Sequence, residues 1–160
     1  MTTSEHGPAI DISIESPLWD TLDCETTVRR AIAAAAPPDA ADAELSVLLT
    51  DDSAIQTLNA KWRHRDEPTN VLSFSATPAA APGPRLLGDI VIAYETTARE
   101  AANEHKRLDH HLAHLTVHGF LHLLGYDHET EPEAETMERL EREILARLDI
   151  ADPYAMPDVG

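Results

Sequence analysis

The stretch from His114 to His128 reads His-Leu-Thr-Val-His-Gly-Phe-Leu-His-Leu-Leu-Gly-Tyr-Asp-His, and it indicates how the chain is organised. Histidines 118, 122 and 128 have the spacing H-x3-H-x5-H. Side chains four residues apart share one face of a helix, so His118 and His122 can bind the same ion. Gly125 is expected to end the helix in a left-handed conformation, and the turn after it brings His128 back towards the pair. We therefore predict a metal site with an open fourth position, the layout of a catalytic zinc site.

Two other interpretations of this stretch have to be weighed. A histidine pair at i, i+4 is often only a polar helix face, and the third histidine after Gly125 makes a metal site the better interpretation. The spacing also matches the H-E-x-x-H-x-x-G-x-x-H motif of the metzincin proteases. Gly119 stands where those proteases carry their general base, which disfavours peptide hydrolysis. Glycine inside a helix costs about 1 kcal/mol relative to alanine, so we expect substrate or another backbone to approach closely there.

The composition is that of an ordinary globular protein. The 160 residues are enough for one domain with a substantial core, and we predict a single domain over residues 1–160 with loose tails at 1–8 and 155–160. The single cysteine, Cys24, excludes an internal disulfide and is expected to be a small buried hydrophobe. No apolar run reaches transmembrane length, and the N-terminus lacks a secretory pattern. We therefore expect a cytoplasmic protein without a membrane segment.

The acidic charge is distributed unevenly along the chain. The formal net charge is −17, but residues 61–107 carry seven Lys/Arg against six Asp/Glu. From residue 129 onward the acidic residues outnumber the basic ones by ten to three. Acidic flanks predict weak non-specific binding to RNA, because such binding depends on neutralising phosphates. An RNA substrate would need a local basic spot, a metal ion or a partner protein.

Hydrophobic periodicity and helix-capping residues predict four strands and five helices. The predicted strands are residues 9–14, 44–50, 71–75 and 87–94, and the predicted helices are 20–36, 53–61, 95–105, 108–124 and 132–148. Asp20 and the segment 95–97 are expected to cap two of the helices. The Ala/Pro/Gly-rich residues 76–84 are expected to form a surface loop. The fold class is therefore α+β, one layered domain with a small mixed sheet and a buried central helix that carries the metal ligands.

Several segments of the chain resemble one known family. The motif HGFLHLLGYDH at residues 118–128 resembles the signature of the YbeY family of bacterial metal-dependent endoribonucleases. Residues 58–74, with Leu-Asn, Trp-Arg and Asp-Glu-Pro-Thr-Asn-Val-Leu-Ser-Phe, resemble a second block of that family. Residues 87–92 resemble a third block, and Asp-Pro-Tyr at 152–154 resembles a common C-terminal ending. The resemblance spans nearly the whole chain.

The resemblance implies a function that the spacing alone does not give. It implies a zinc-dependent, single-strand-specific RNA hydrolase acting in 3′-end maturation of small-subunit ribosomal RNA and in ribosome quality control. It implies zinc ligands at His118, His122 and His128, and an arginine important for activity at Arg63. The implied partners are single-stranded RNA, the small ribosomal subunit and an Era-type GTPase.

The candidate catalytic residues are Arg63, His114 and Asp127. The planar guanidinium of Arg63 could stabilise negative charge on a phosphorane-like transition state. Its alternative role is a surface salt bridge to Asp66 or Glu67. His114 lies one turn before His118 on the same face, where it either touches substrate or relays protons, or is an ordinary hydrogen-bonded helix residue. Asp127 either orients a ligand imidazole, accepts a proton, or supports the turn. The sequence leaves the general base open.

Two rival functions and three minor expectations also follow from the sequence. His105, His110 and His111 are expected to be solvated surface residues. Nickel or cobalt can replace zinc at a three-histidine site. One rival is a zinc peptidase or another small zinc hydrolase. The second rival is a ribosome-assembly factor in which zinc only supports the fold.

Overall fold

The structure, a computed structural model, describes residues 7–76 and 85–154. It contains four strands and five α-helices joined by short connections and two 3-10 turns. The strands are β1 (Ala9–Ile14), β2 (Ala43–Thr50), β3 (Val71–Ser75) and β4 (Arg85–Ala93). The helices are α1 (Cys24–Ala35), α2 (Asp52–Arg63), α3 (Tyr94–Asn103), α4 (Leu108–Leu123) and α5 (Glu131–Arg147). None of these helices combines the length and the apolar character that crossing a membrane requires.

The four strands form one mixed sheet in the order β1-β2-β4-β3. β1, β2 and β4 run parallel, and β3 is an antiparallel edge strand paired with β4. β1 alternates between half-buried Ile10 and Ile12 and more exposed neighbours, as its sequence pattern predicts. The predicted α+β class with a small mixed sheet is therefore confirmed.

Helices cover both faces of the sheet. Residues of β2 and β4 pack on one face against α1 and α4. Leu72 and Phe74 of β3 pack on the other face with Ile55 and Leu58 of α2. α5 packs behind α1 and α4 and encloses a second apolar cluster that includes Met137 and Leu145. Because β4 is covered on both faces, its sequence is continuously apolar from Ile90 to Ala93.

α4 is the predicted buried central helix, and ten of its sixteen residues are buried. It approaches the sheet closely at Gly119, where an added Cβ would lie 2.9 Å from Ile90 Cγ2 and 3.1 Å from Ser73 Oγ. Ser73 Oγ also donates a hydrogen bond to the Gly119 carbonyl at 3.2 Å. The expectation of a close approach is confirmed, but the approaching groups are side chains of β3 and β4 rather than substrate or backbone.

The first predicted helix begins later than expected. Residues Pro17–Thr21 form a 3-10 turn, and α1 begins at Cys24 with Asp23, not Asp20, as its cap. Asp23 accepts a hydrogen bond from the Thr26 amide. The reason is tertiary, because the 3-10 turn buries Trp19, whose indole N–H donates to the Thr50 carbonyl at 2.9 Å.

The cap of α3 also differs from its prediction at residues 95–97. α3 begins at Tyr94 after Ala93, which provides no side-chain cap. Instead Asp52 accepts hydrogen bonds from the amide and hydroxyl of Thr96, and Glu95 accepts one from the Asp52 amide at 2.8 Å. The first turns of α2 and α3 therefore cap one another, an arrangement that a local sequence pattern does not reveal.

The remaining boundaries agree with the predictions to within about two residues, the usual uncertainty of helix and strand ends. α5 begins with a capping box between Thr130 and Glu133, and Cys24 is buried as expected. Of the predicted loop at 76–84, only Ala76 is among the described residues. Of the predicted tail at 1–8, only residues 7–8 are described, and the predicted tail at 155–160 lies outside the described residues. The extent of the single domain stays a prediction.

Replacing Gly119 with alanine tests the contact between α4 and the sheet. Alanine improves helix propensity by about 1 kcal/mol, but overpacking a buried site costs about 1–3 kcal/mol. We expect Gly119→Ala to lower the free energy of unfolding by about 1 kcal/mol in chemical denaturation.

The control for this prediction is the Ile90→Ala background, which removes Ile90 Cγ2, the atom nearest the new methyl group, and Ile90 Cγ1, and leaves Ser73 Oγ in place. In that background Gly119→Ala should raise the free energy of unfolding, because alanine has the higher helix propensity and its methyl group fills part of the cavity left by Ile90→Ala. An identical effect of Gly119→Ala in both backgrounds would contradict the proposed contact.

Candidate metal centre

α4 and the turn after it bring the three predicted ligands together. Donor nitrogens of His118, His122 and His128 all lie within 4.8 Å of one another. The Nε2 atoms of His118 and His122 are 3.1 Å apart. Gly125 ends the helix at φ +107°, and the Tyr126 amide donates to the Leu121 carbonyl, so the chain turns back as predicted.

This group fits a divalent metal ion by its donors and its spacing. Tetrahedral Zn–N bonds of about 2.0–2.1 Å separate two ligand nitrogens by about 3.3 Å, close to the observed pair. Burial and the adjacent imidazoles of His118 and His128 lower the pKa of His122, so its ring is neutral at neutral pH. Among residues 7–76 and 85–154, no fourth His, Cys, Asp or Glu joins the group. The arrangement leaves room for a non-protein ligand.

A buried carboxylate behind the ligands was not predicted from the sequence. Glu141 of α5 is fully buried. Its Oε2 lies 3.1 Å from His118 Nδ1, and its Oε1 lies 2.6 Å from His114 Nε2 and 2.7 Å from the Tyr154 hydroxyl. Burial opposes ionisation of Glu141, but hydrogen bonds from His114, His118 and Tyr154 outweigh it and hold the pKa at about 2.

The Glu141 carboxylate determines which nitrogen of His118 is free. An ionised carboxylate can only accept hydrogen bonds, so His118 donates to it from Nδ1. The lone pair is then on Nε2, the atom that faces His122. Metal-binding histidines are oriented in this way by a carboxylate on the far ring nitrogen.

A sequence signal for Glu141 was present. In the sequence of α5 an apolar stripe is formed by Met137, Leu140, Ile144 and Leu148, and Glu141 lies four residues after Met137 on the same face. A glutamate on the buried face of an amphipathic helix needs a polar partner. Two histidines of α4, His114 and His118, provide such partners for Glu141.

His114 belongs to the hydrogen-bond network of Glu141 and does not line the cavity that contains the three ligands. Its Nε2 contacts Glu141 and, at 3.3 Å, the Tyr154 hydroxyl. This placement matches the hydrogen-bonded alternative for His114.

His111 was expected on the surface, and that expectation is wrong, because His111 is buried with its Nε2 2.9 Å from Glu100 Oε1. His105 is exposed as expected, and His110 is half-buried.

Asp127 lies in the turn between the helix and His128. Its Oδ1 accepts a hydrogen bond from the His128 amide at 2.8 Å. The carboxylate also lines the cavity that contains His118, His122 and His128. The structure therefore places Asp127 as a turn-supporting residue with its side chain at the edge of the cavity.

Arg63 reaches this cavity from the end of α2. The cavity has a volume of about 690 Å³ and is open to solvent. The Arg63 guanidinium donates to the Ser73 carbonyl of β3 at 2.7 Å and lies 4.9 Å from the Phe74 ring centre. The predicted alternative, an ion pair with Asp66 or Glu67, is not formed, and Arg65 pairs with Glu67 instead. Arg63 therefore contributes its positive charge to the cavity wall.

Comparison with known proteins identifies the relatives of this chain. A family model described as Endoribonuclease YbeY matches residues 11–149. A protein named Endoribonuclease YbeY from Rhodopseudomonas palustris (strain BisA53) is 59% identical over 159 residues, which cover 94% of this chain and 92% of that protein. A protein of the same name from Nitrobacter hamburgensis is 57% identical over 157 residues, which cover 92% of this chain and 83% of that protein.

A solved structure supports the fold. A solution structure of a protein from Thermotoga maritima is 24% identical and superposes with a TM-score of 0.50, covering 92% of this chain and 99% of that one. Together with the family match over residues 11–149, the identities confirm the resemblance found in the sequence. The chain belongs to the YbeY endoribonuclease family.

Proposed function

We propose that this protein is a zinc-dependent endoribonuclease that hydrolyses phosphodiester bonds of single-stranded RNA. The observation that carries the proposal is the convergence of His118, His122 and His128 at the wall of an open cavity that also contains Arg63. The names of the relatives described above support RNA as the substrate. Nickel or cobalt can occupy the same three-histidine site.

Three neutral imidazoles determine what the bound ion contributes. Held by His118, His122 and His128 without an anionic ligand, a divalent ion would keep its full double positive charge and would supply attraction for a phosphodiester and activation of water. Glu141 stays outside the ligand set and acts through His118 Nδ1. The carboxylate therefore orients a ligand without neutralising the ion directly.

Arg63 is the protein group best placed to stabilise a phosphate during hydrolysis. Its guanidinium carries a fixed charge, and its contacts with the Ser73 carbonyl and the Phe74 ring hold it at the cavity. A preorganised cation beside a developing negative charge is a major source of rate acceleration. Among the described residues, no carboxylate forms a salt bridge with Arg63, so its charge is available to substrate.

His114 and Asp127 have supporting roles in this proposal. His114 shares the Glu141 carboxylate with His118 and so helps to position a ligand. Asp127 holds the turn that presents His128, and its position at the cavity edge also allows it to accept a proton from an attacking water. We propose His114 as a positioning residue and Asp127 as the candidate general base.

The biological setting is proposed from the family resemblance. It comprises cytoplasmic maturation of the 3′ end of small-subunit ribosomal RNA, ribosome quality control, and contact with the small subunit and an Era-type GTPase. The net charge of −17 supports a partner-assisted encounter, because the protein itself offers little general attraction to RNA.

The rival functions are less well supported. In a peptidase, a glutamate would stand at position 119, where Ile90 and Ser73 occupy the space that its side chain needs. In an assembly factor with a structural ion, the ion would be expected to hold the core together. His118 and His122 instead lie at the accessible side of a helix whose buried residues already belong to the apolar core, and His128 lies in the turn after that helix.

Metal removal tests the proposed activity directly. We expect one zinc equivalent per chain by elemental analysis, loss of single-stranded RNA cleavage on chelation, and recovery on zinc addition. His118→Ala should abolish cleavage while keeping a native circular dichroism spectrum and a cooperative melt. His110→Ala, a half-buried histidine outside the ligand set, is the matched control and should behave as wild type. An unfolded His118→Ala protein would favour the structural-ion alternative.

Substitution of Arg63 tests its role towards phosphate. Arg63→Ala should lower kcat/KM on single-stranded RNA by about 100-fold or more, as for loss of one preorganised donor. Arg63→Lys should recover only part of that loss, because lysine lacks the planar fork. Zinc content should not change in either variant. Arg65→Ala is the matched control, since Arg65 is exposed and pairs with Glu67, and equal losses at both positions would contradict a specific role for Arg63.

Substitution of Glu141 separates ligand positioning from general stability. Glu141→Gln keeps the side-chain shape but cannot accept hydrogen bonds on both terminal atoms, so zinc affinity should fall by about 10–100-fold. The measurement is chelator competition on the folded protein. Tyr154→Phe removes one donor to Glu141 without touching a ligand and should have a smaller effect. Unchanged zinc affinity in Glu141→Gln would show that the carboxylate only fills the core.

A further inference from the structure

We infer that Trp62 and Lys61, at the end of α2, form a stacking platform that binds an unpaired RNA base beside the metal cavity. The inference rests on the proposed ribonuclease function and deepens it by naming residues that select single-stranded substrate. It is carried by the exposure of Trp62, by the charges around it, and by its connection to the cavity through Arg63.

Trp62 is one of several exposed large apolar residues among those that the structure describes, and among these it has the largest aromatic ring. Its side chain is 54% exposed, whereas Trp19 is completely buried. The Trp62 ring meets Phe74 edge-on, with ring centres 6.5 Å apart and an interplanar angle of 66°. This contact anchors the indole, the Lys61 ammonium lies over its ring, and the exposure of the residue shows that further ring surface is open to solvent. Because indole is rigid and amphipathic, such a surface suits stacking by a nucleobase.

The charges around Trp62 suit a phosphate backbone. The segment 61–65 reads Lys-Trp-Arg-His-Arg and carries three of the twelve Lys and Arg residues of the chain. The Lys61 ammonium lies 4.9 Å from the Trp62 ring centre. Arg65 pairs with Glu67 at 3.8 Å, but Lys61 and Arg63 form no salt bridge among the described residues. A helix C-terminus favours cations, but that preference does not explain an exposed tryptophan between them.

A continuous set of contacts joins Trp62 to the metal ligands. Arg63, the next residue, lines the cavity and donates to the Ser73 carbonyl. Ser73 in turn contacts the carbonyl of Gly119, the neighbour of His118. A strand whose phosphate lies between Arg63 and the metal centre can therefore place an adjacent base on Trp62 and a further phosphate near Lys61.

This geometry selects unpaired nucleotides by a simple physical rule. A base can stack on a protein side chain only when its own stacking partners are released, which single strands allow and helices resist. Stacking on an aromatic side chain is also tolerant of base identity. The platform would thus favour single strands over duplexes without imposing a strong sequence preference.

The two tryptophans provide a direct test by fluorescence. In the zinc-loaded protein, stopped-flow mixing with single-stranded oligo(U) or oligo(A) should quench the emission of exposed Trp62 before cleavage, and the oligo(A)·oligo(U) duplex should quench it far less. In Trp62→Phe only buried Trp19 emits, and the quench should disappear. An equal quench by duplex and single strands, or a quench that persists in Trp62→Phe, would overturn the platform.

Variants measure the contribution to binding and catalysis. Trp62→Ala should raise the KM for single-stranded RNA by about 10-fold with little change in kcat, whereas Trp62→Phe should keep most of the affinity. Lys61→Ala should weaken binding and reduce its salt dependence. Ile14→Ala is the matched control, since Ile14 is a 43% exposed apolar residue on β1, at the opposite sheet edge from β3. Zinc content and melting temperature should stay unchanged in the Trp62 variants.

The outcomes distinguish failure of the platform from failure of the proposed function. If wild type cleaves single-stranded RNA and Trp62→Ala cleaves it with the same KM and kcat, the platform is refuted and the nuclease stands. If wild type does not cleave RNA but single strands quench Trp62, the platform stands as a binding site and the nuclease proposal fails. If neither cleavage nor quenching occurs, the platform is overturned, and Trp62 would then be tested as a protein-docking residue.

Discussion

The close contact of α4 with the sheet at Gly119 is the constraint on which the rest of the structure depends. A glycine there lets the helix pack directly on Ile90 and Ser73, so that α4 is buried on most of its surface. The part of the helix that stays accessible carries His118 and His122. Because the helix is held by core packing on its other sides, its two imidazoles have a rigid support. The left-handed turn at Gly125 then positions His128 relative to this packed helix.

The buried Glu141 carboxylate connects this core to the chemistry of the site. An isolated charge in the interior would be expensive, and three hydrogen bonds from His114, His118 and Tyr154 offset that cost. The same contacts select the tautomer of His118 and leave its Nε2 free to bind a metal. One side chain of α5 therefore stabilises the packing of α5 against α4 and also orients a metal ligand, which links correct folding of the C-terminal helix to the state of the site.

The electrostatics of the protein favour local rather than general recognition of RNA. With a net charge of −17, the surface as a whole repels a polyanion. Against this background two cations that form no salt bridge within the described part of the chain, Lys61 and Arg63, and a histidine group able to hold a divalent ion define one position suited to a phosphate. Non-specific binding elsewhere is suppressed by the same acidity. The proposed substrate contacts are therefore concentrated in a small area around a single cavity.

The sequence by itself determined the α+β class, the order and approximate bounds of the elements, and the three-histidine group, because periodicity, glycine turns and ligand spacing are local properties of the chain. The tertiary structure decided what depends on contacts between distant segments. α1 starts late because Trp19, in the preceding 3-10 turn, is buried and donates a hydrogen bond to the Thr50 carbonyl. The first turns of α2 and α3 cap one another through residues more than forty positions apart. Glu141 acquires its role only when α5 packs on α4, and Arg63 reaches the cavity only because β3 is an edge strand. Side-chain partners across elements have no fixed sequence spacing, and so only the folded chain reveals them.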